Sequence, residues 1–81
     1  MIIWLNGAFG AGKTHTAYEL KRRLPNACVY DPENAGYFIR KNLPPSIHVD
    51  DFQDYPMWRT CNLAILDYIA AHYEGDIIVP I

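Results

Sequence analysis

The chain has 81 residues, 51% of them hydrophobic and 20% charged, with a formal net charge of −2. This is ordinary globular composition for at most one domain, which argues against disorder and fibrous repeats. The charge balance gives no general field for nucleic acid, no apolar run approaches the ~20 residues of a membrane span, and the N-terminus lacks the basic start of a secretory signal.

Ile2 to Leu5 is a short continuous apolar run bounded by Asn6-Gly7, the form of a strand buried on both faces. A helix is predicted from Gly12 or Lys13, carrying Ala17, Leu20 and Leu24 along one face and ending at Pro25-Asn26. Its cluster Lys21-Arg22-Arg23 reads as a solvated face. "ACVYD", residues 27–31, reads as a second buried strand. Asp31-Pro32-Glu33 then has the pattern of an N-cap with proline at the first helical position, opening a short helix to about Asn42.

"LPPSIHVDDFQDYP" is predicted to be a loop, because its prolines and acids defeat both regular periods. Trp58, Cys61, Ile65, Tyr68, Ile69 and His72 recur at helical spacing, which predicts the longest helix from Pro56 to Tyr73, with Gly75 as its stop. "IIVPI" is the third strand. Alternating strands and helices of this kind predict right-handed βαβ units on a parallel sheet. Cys28 and Cys61 have no metal-binding spacing and read as buried free thiols of a reducing cytoplasm. His48 and His72 have no acid–base constellation around them. The sequence stops inside the apolar run "DIIVPI", which suggests the front part of a longer protein.

Between the first strand and the first helix, Gly7 to Thr14 ("GAFGAGKT") match G-x-x-x-x-G-K-[ST], the phosphate-binding P-loop. In such a loop the backbone N–H groups of Ala8, Phe9, Gly10, Ala11, Gly12 and Lys13 turn inward around a phosphate, and the following helix presents its positive end to the same anion. Lys13 would bridge the β- and γ-phosphates of ATP, Thr14 would place its hydroxyl on Mg²⁺, and His15 follows within reach of the α-phosphate. The alternative is a glycine-rich turn with a solvated lysine.

Asp31 is the second candidate. At the carboxyl end of the second strand it is placed to accept a proton from a substrate hydroxyl or to hold a Mg²⁺-bound water, and a plain N-cap is the competing reading. The segment "VDDFQDYPMWR" combines acids, aromatics and an arginine, which suits a ring-containing polar ligand at Asp51, Phe52 and Tyr55, although a helix entry packed on the core needs none. Arg40 and Arg59 are candidate phosphate contacts, with solvated or ion-paired arginines as the plainer reading.

"MIIWLNGAFGAGKTHTAYELKRRL", "VYDPENAGYFIRKNLP", "DDFQDYPMWR" and "IIVPI" together closely resemble the N-terminal half of the tunicamycin-resistance ATP-binding proteins of bacilli and related bacteria. The resemblance implies that residues 1–81 are the N-terminal part of a single P-loop NTPase domain of kinase-like α/β fold, with its first three strands in the order 2-3-1. It also implies ATP and Mg²⁺ at Gly7 to Thr14, self-protection against a nucleoside-like antibiotic, and a cytoplasmic protein. Members of that family are much longer. The lid arginines, the base-recognition residues and a C-terminal segment making peripheral membrane contact would lie outside this chain. "IIVPI" ends without the acid that many P-loop ATPases use near Mg²⁺, which turns attention to Asp31. Three activities stay open: phosphorylation of a small-molecule hydroxyl acceptor, ATP-dependent sequestration of the drug, and a nucleotide-binding regulatory module.

Overall fold

The structure, a computed structural model, describes residues 1–6 and 12–81. Its elements are β1 (Ile2–Leu5), α1 (Gly12–Arg23), β2 (Ala27–Val29), α2 (Pro32–Asn42), α3 (Pro56–His72) and β3 (Asp76–Pro80). The three strands form one parallel sheet in the order β1-β3-β2, the expected 2-3-1 arrangement seen from the other edge.

Register is set along both sides of β3: Ile2 lies opposite Ile77 and Leu5 opposite Pro80, while Ala27 lies opposite Asp76 and Val29 opposite Ile78. Pro80 is tolerated in this central strand for a positional reason. Ile77 and Ile81 both donate their N–H to β1, at Met1 and Leu5, so the alternation turns Pro80 toward β2. The last ladder bond there is Tyr30 N–H to the Ile78 carbonyl, so the donor that proline lacks faces a strand that has already ended.

On one face of the sheet Ala17, Ala27 and Ile78 are buried together, and Ile3, Leu5, Leu20, Leu24 and Val29 pack around them, which seats α1 through the apolar face read in the sequence. Ile77 and Val79 point to the opposite face and are also almost completely buried. β1 departs from the expectation of a strand buried on both faces. It is the sheet's edge, and Ile2 and Trp4 are exposed. The basic turn of α1 is solvated as expected: Arg22 pairs with Glu19 at 2.7 Å, and the Lys21 ammonium lies 6.0 Å from the Tyr18 ring.

α2 begins and ends at the expected residues. Its N-terminus is fixed by Asp31, whose Oδ1 accepts the Glu33 N–H at 2.9 Å. The 43–55 segment contains two 3₁₀ turns, Pro45–Ile47 and Phe52–Asp54, and the second is capped by Asp51 accepting the Gln53 N–H at 3.0 Å. α3 is joined to the start of α2 by a bond from Trp58 Nε1 to the Pro32 carbonyl, 3.0 Å. Trp58, Cys61, Asn62, Leu66 and Ile69 are its least exposed residues, whereas Tyr68 and His72 turn outward and stack on each other with centroids 4.3 Å apart.

α3 ends at His72, and Tyr73 closes it by donating its N–H to the Ile69 carbonyl. Gly75 therefore does not terminate the helix. It is required where the chain passes the turn before β2: a Cβ there would lie 2.0 Å from the Asn26 carbonyl oxygen, which itself accepts the Asp76 N–H. Because the obstruction is backbone, Gly75→Ala is expected to cost about 3 kcal/mol of stability, read as a lowered urea midpoint. A neutral result would mean that the turn before β3 is not held against Asn26.

Candidate functional site

The carboxyl ends of the strands gather the residues that the sequence singled out. Lys13, in the first turn of α1, donates from Nζ to the Ile81 carbonyl just past β3, at 2.5 Å. Thr14 Oγ1 lies 3.5 Å from Asp31 Oδ2, just past β2. These two contacts set the N-terminus of α1 over the ends of β2 and β3, with the positive end of the helix directed at the edge where open α/β sheets take their ligands. His15 is exposed in the same first turn. Residues Gly7, Ala8, Phe9, Gly10 and Ala11, to which the phosphate cradle was assigned, lie outside the described residues; Gly12 opens α1, and a Cβ there would meet nothing within 4 Å among the described residues.

Asp31 serves two partners through its two oxygens. Oδ1 caps α2, so the plain N-cap reading holds, while Oδ2 is directed at the Thr14 hydroxyl. The capping and functional readings therefore describe different atoms of one carboxylate. Thr14 and Asp31 supply hard oxygen donors at one place, the donor chemistry that Mg²⁺ selects. Among the described residues no group of three His, Cys, Asp or Glu side chains could hold a metal ion. One hydroxyl oxygen from Thr14, with phosphate and water completing the shell and Asp31 placed beside it to hold a metal-bound water, is a protein share that a nucleotide-bound Mg²⁺ accepts. The residues present fit the ion.

Beside Asp31 is a cavity of about 360 Å³, bounded by Tyr30 and Asp31 from the end of β2, Asn34 and Phe38 from α2, and Cys61 and Ile65 from α3. The Tyr30 hydroxyl donates to Asn62 Oδ1, and Asn62 is buried at 7% exposure with its Nδ2 unpartnered among the described residues. Burial pushes the Tyr30 phenol above its ordinary range, and the neighbouring Cys61 and Asp31 add to the shift. Apart from Asp31, none of these residues stood out in the sequence. They come from three elements, and only the short spacing of Tyr30 and Asp31, at the end of a strand, could have pointed to the place.

The remaining candidates are gathered elsewhere. Arg40 donates from one guanidinium nitrogen to the Val49 and Asp50 carbonyls, at 3.1 and 3.3 Å, and its guanidinium carbon lies 4.4 Å from the centroid of the Phe52 ring. Phe52 meets Tyr37 edge-on and lies so close over Gly36 that a Cβ there would be 2.2 Å from the ring. Tyr55 is buried, and its hydroxyl accepts the Val49 N–H at 3.1 Å. Arg40, Asp51 and Phe52 line a shallow depression with Tyr37 and Asp50, distinct from the cavity at Asp31, and Arg59 is exposed on the first turns of α3. The structure thus brings Lys13, Thr14 and Asp31 together and gives Arg40, Asp51, Phe52 and Tyr55 internal partners.

A parallel sheet in 2-3-1 order with flanking helices is the α/β architecture of the P-loop fold. A solved structure, that of the Deinococcus radiodurans tunicamycin resistance protein, has 45% sequence identity to this chain, matches 99% of it and gives a TM-score of 0.83. The resemblance read in the sequence is therefore shown, over a chain that spans 45% of that protein's length. No family model and no curated protein matches the chain.

Asp31→Asn is expected to leave stability nearly unchanged, because asparagine also caps helices, whereas Asp31→Ala should cost about 1 kcal/mol; equal urea midpoints for the two variants would contradict the capping bond. The Tyr30 phenol offers a second check. Folded Tyr30 keeps its proton where the unfolded phenol has lost it, so its contribution to stability is full below the ordinary tyrosine range and is lost as pH rises from there through the raised folded value. Denaturation at increasing alkaline pH should therefore show a decline that is shallower in Tyr30→Phe.

Proposed function

We propose that this chain forms the ATP-binding part of a protein that protects against tunicamycin or a similar nucleoside-like antibiotic. The observation that carries the reading is the convergence of Lys13, Thr14 and Asp31 at the carboxyl edge of the sheet, with the Thr14 hydroxyl 3.5 Å from the Asp31 carboxylate. The P-loop pattern from Gly7 to Thr14 and the likeness to a tunicamycin resistance protein support it from independent directions.

In this reading ATP is the substrate, held by the backbone of Gly7 to Lys13 with His15 beside it. Mg²⁺, when bound, supplies charge neutralisation to the phosphates. The Lys13 ammonium leaves the Ile81 carbonyl for the β- and γ-phosphate oxygens, its most favourable charged partners. Thr14 presents its hydroxyl oxygen to the metal side of the site. Asp31 Oδ2 holds the acceptor hydroxyl and takes its proton as the acceptor oxygen bonds to the γ-phosphorus and the bond from that phosphorus to the leaving ADP oxygen breaks. Orientation and charge neutralisation carry the rate, because little covalent chemistry is left to the protein.

One feature favours a second reading. The end of β3, Val79-Pro80-Ile81, presents no acid beside the site, and sequestration of the drug gated by ATP would require no transfer step. Both readings predict that Lys13 and ATP are needed. The full-length protein is incubated with Mg-ATP and tunicamycin, and the recovered drug is analysed by mass spectrometry. A phosphorylated drug that disappears in Lys13→Ala and falls at least about 100-fold in Asp31→Asn is the expected outcome for the transferase. Unaltered drug retained only with ATP and Lys13 identifies sequestration, and drug neither altered nor retained would overturn the proposal.

A further inference from the structure

Apart from Asp31, the residues that line the cavity between α2 and α3 have no role in the nucleotide reading. Its volume, about 360 Å³, falls within the range of roughly 300–1,000 Å³ typical of small-molecule sites. At ~30 Å³ for each water-sized group it has room for about a dozen such groups. Its walls are mainly carbon, from Val29, Ala35, Phe38 and Ile65, and among the described residues no lysine, arginine or histidine lines it. A second phosphate-bearing ligand would find no counter-charge there.

The exposure of the mouth points to an occupant. Phe38 is 67% exposed and Ile65 39%, so the mouth is apolar surface open to water. Behind the wall, the Tyr30 hydroxyl is held by Asn62, a side chain more than nine-tenths buried whose Nδ2 has no partner among the described residues. Asn62 is not one of the residues that line the cavity, and its bond holds the Tyr30 side chain on the wall. The single carboxylate, Asp31, stands at the end of the cavity nearest Thr14.

We propose that this cavity takes the apolar portion of an amphipathic, hydroxyl-bearing small molecule, with its apolar body between Phe38 and Ile65 and its hydroxyl at Asp31. The hydroxyl's fate rests on the nucleotide reading above; the apolar contact rests on the cavity alone. Specificity then comes from the α2 and α3 walls, and the acidic aromatic segment at 50–55 is their scaffold.

Cys61 lies on the cavity wall and makes the proposal testable without measuring turnover. The full-length protein is treated with an uncharged maleimide in the presence and absence of tunicamycin, each with and without Mg-ATP, and labelling of Cys61 and Cys28 is followed by peptide mass spectrometry. Tunicamycin is expected to slow Cys61 labelling about tenfold relative to Cys28, in at least one nucleotide condition. Ile65→Trp, which fills the mouth from a part-exposed position, should weaken drug retention about tenfold while ATP affinity and the circular dichroism spectrum stay unchanged.

Cys61 labelling that is insensitive to tunicamycin, or normal drug retention by a folded Ile65→Trp protein, would overturn the proposal. So would a Cys61 that never reacts, because the mouth would then be covered by the protein itself. Failure to bind ATP would remove the nucleotide reading alone, since protection of Cys61 is read without nucleotide as well.

Discussion

The constraint on which the structure depends is that the last strand in the sequence lies between the first two. β1 and β2 are not paired with each other; within the sheet each is paired with β3, whose Ile77, Ile78 and Val79 are buried on both faces of the sheet. The functional edge inherits this arrangement. Lys13 reaches the carbonyl after β3 and Thr14 reaches the carboxylate after β2, and these two ends are level only because both neighbours are registered on β3. Such a pairing is non-local, so its loop-closure entropy must be met before any site geometry exists.

Asp31 then connects local and tertiary structure. A carboxylate that only capped α2 would have its second oxygen in water, and one that only faced a ligand would leave the start of α2 unsatisfied. Here the backbone of α2 holds one oxygen and so aims the other at Thr14. The cap is what orients the oxygen that faces Thr14, which is how a residue so ordinary in sequence links the start of α2 to the start of α1.

Where the sequence was legible, the determinants were local. The apolar run 2–5, the Asp31-Pro32 start of α2 and the Ala17–Leu20–Leu24 face each depend on neighbouring residues, and each element is found at the residues expected, although the run 2–5 is an exposed edge and not buried on both faces. Gly75 misled because a glycine after a helical run has the pattern of a C-cap, while its actual constraint is the close passage of Asn26 from a distant part of the chain. Asp51, Phe52 and Tyr55 drew attention as a dense polar-aromatic segment, yet their partners are Gln53, Gly36 and Val49. Chemistry-bearing residue types announce themselves by composition, whereas their use as structural ties is visible only once the partners are in place. The cavity at Asp31 was illegible for the same reason, being the junction of three elements that are far apart in sequence.

The ties between α2 and the chain that follows it have a consequence for how the cavity can behave. Trp58 binds the first residue of α2 at one end, and Arg40 binds the backbone of residues 49 and 50 at the other, under the Phe52 ring that rests on Gly36. With its start tied to α3 and its end tied to the segment that leads into α3, α2 resists being spread or sheared from its neighbour. These ties restrain the width between Phe38 and Ile65, and a ligand of matching girth would lose little free energy to reorganising its host. Discrimination at such a slot works by shape: a bulkier molecule must break the fastenings, and a thinner one leaves unfilled volume.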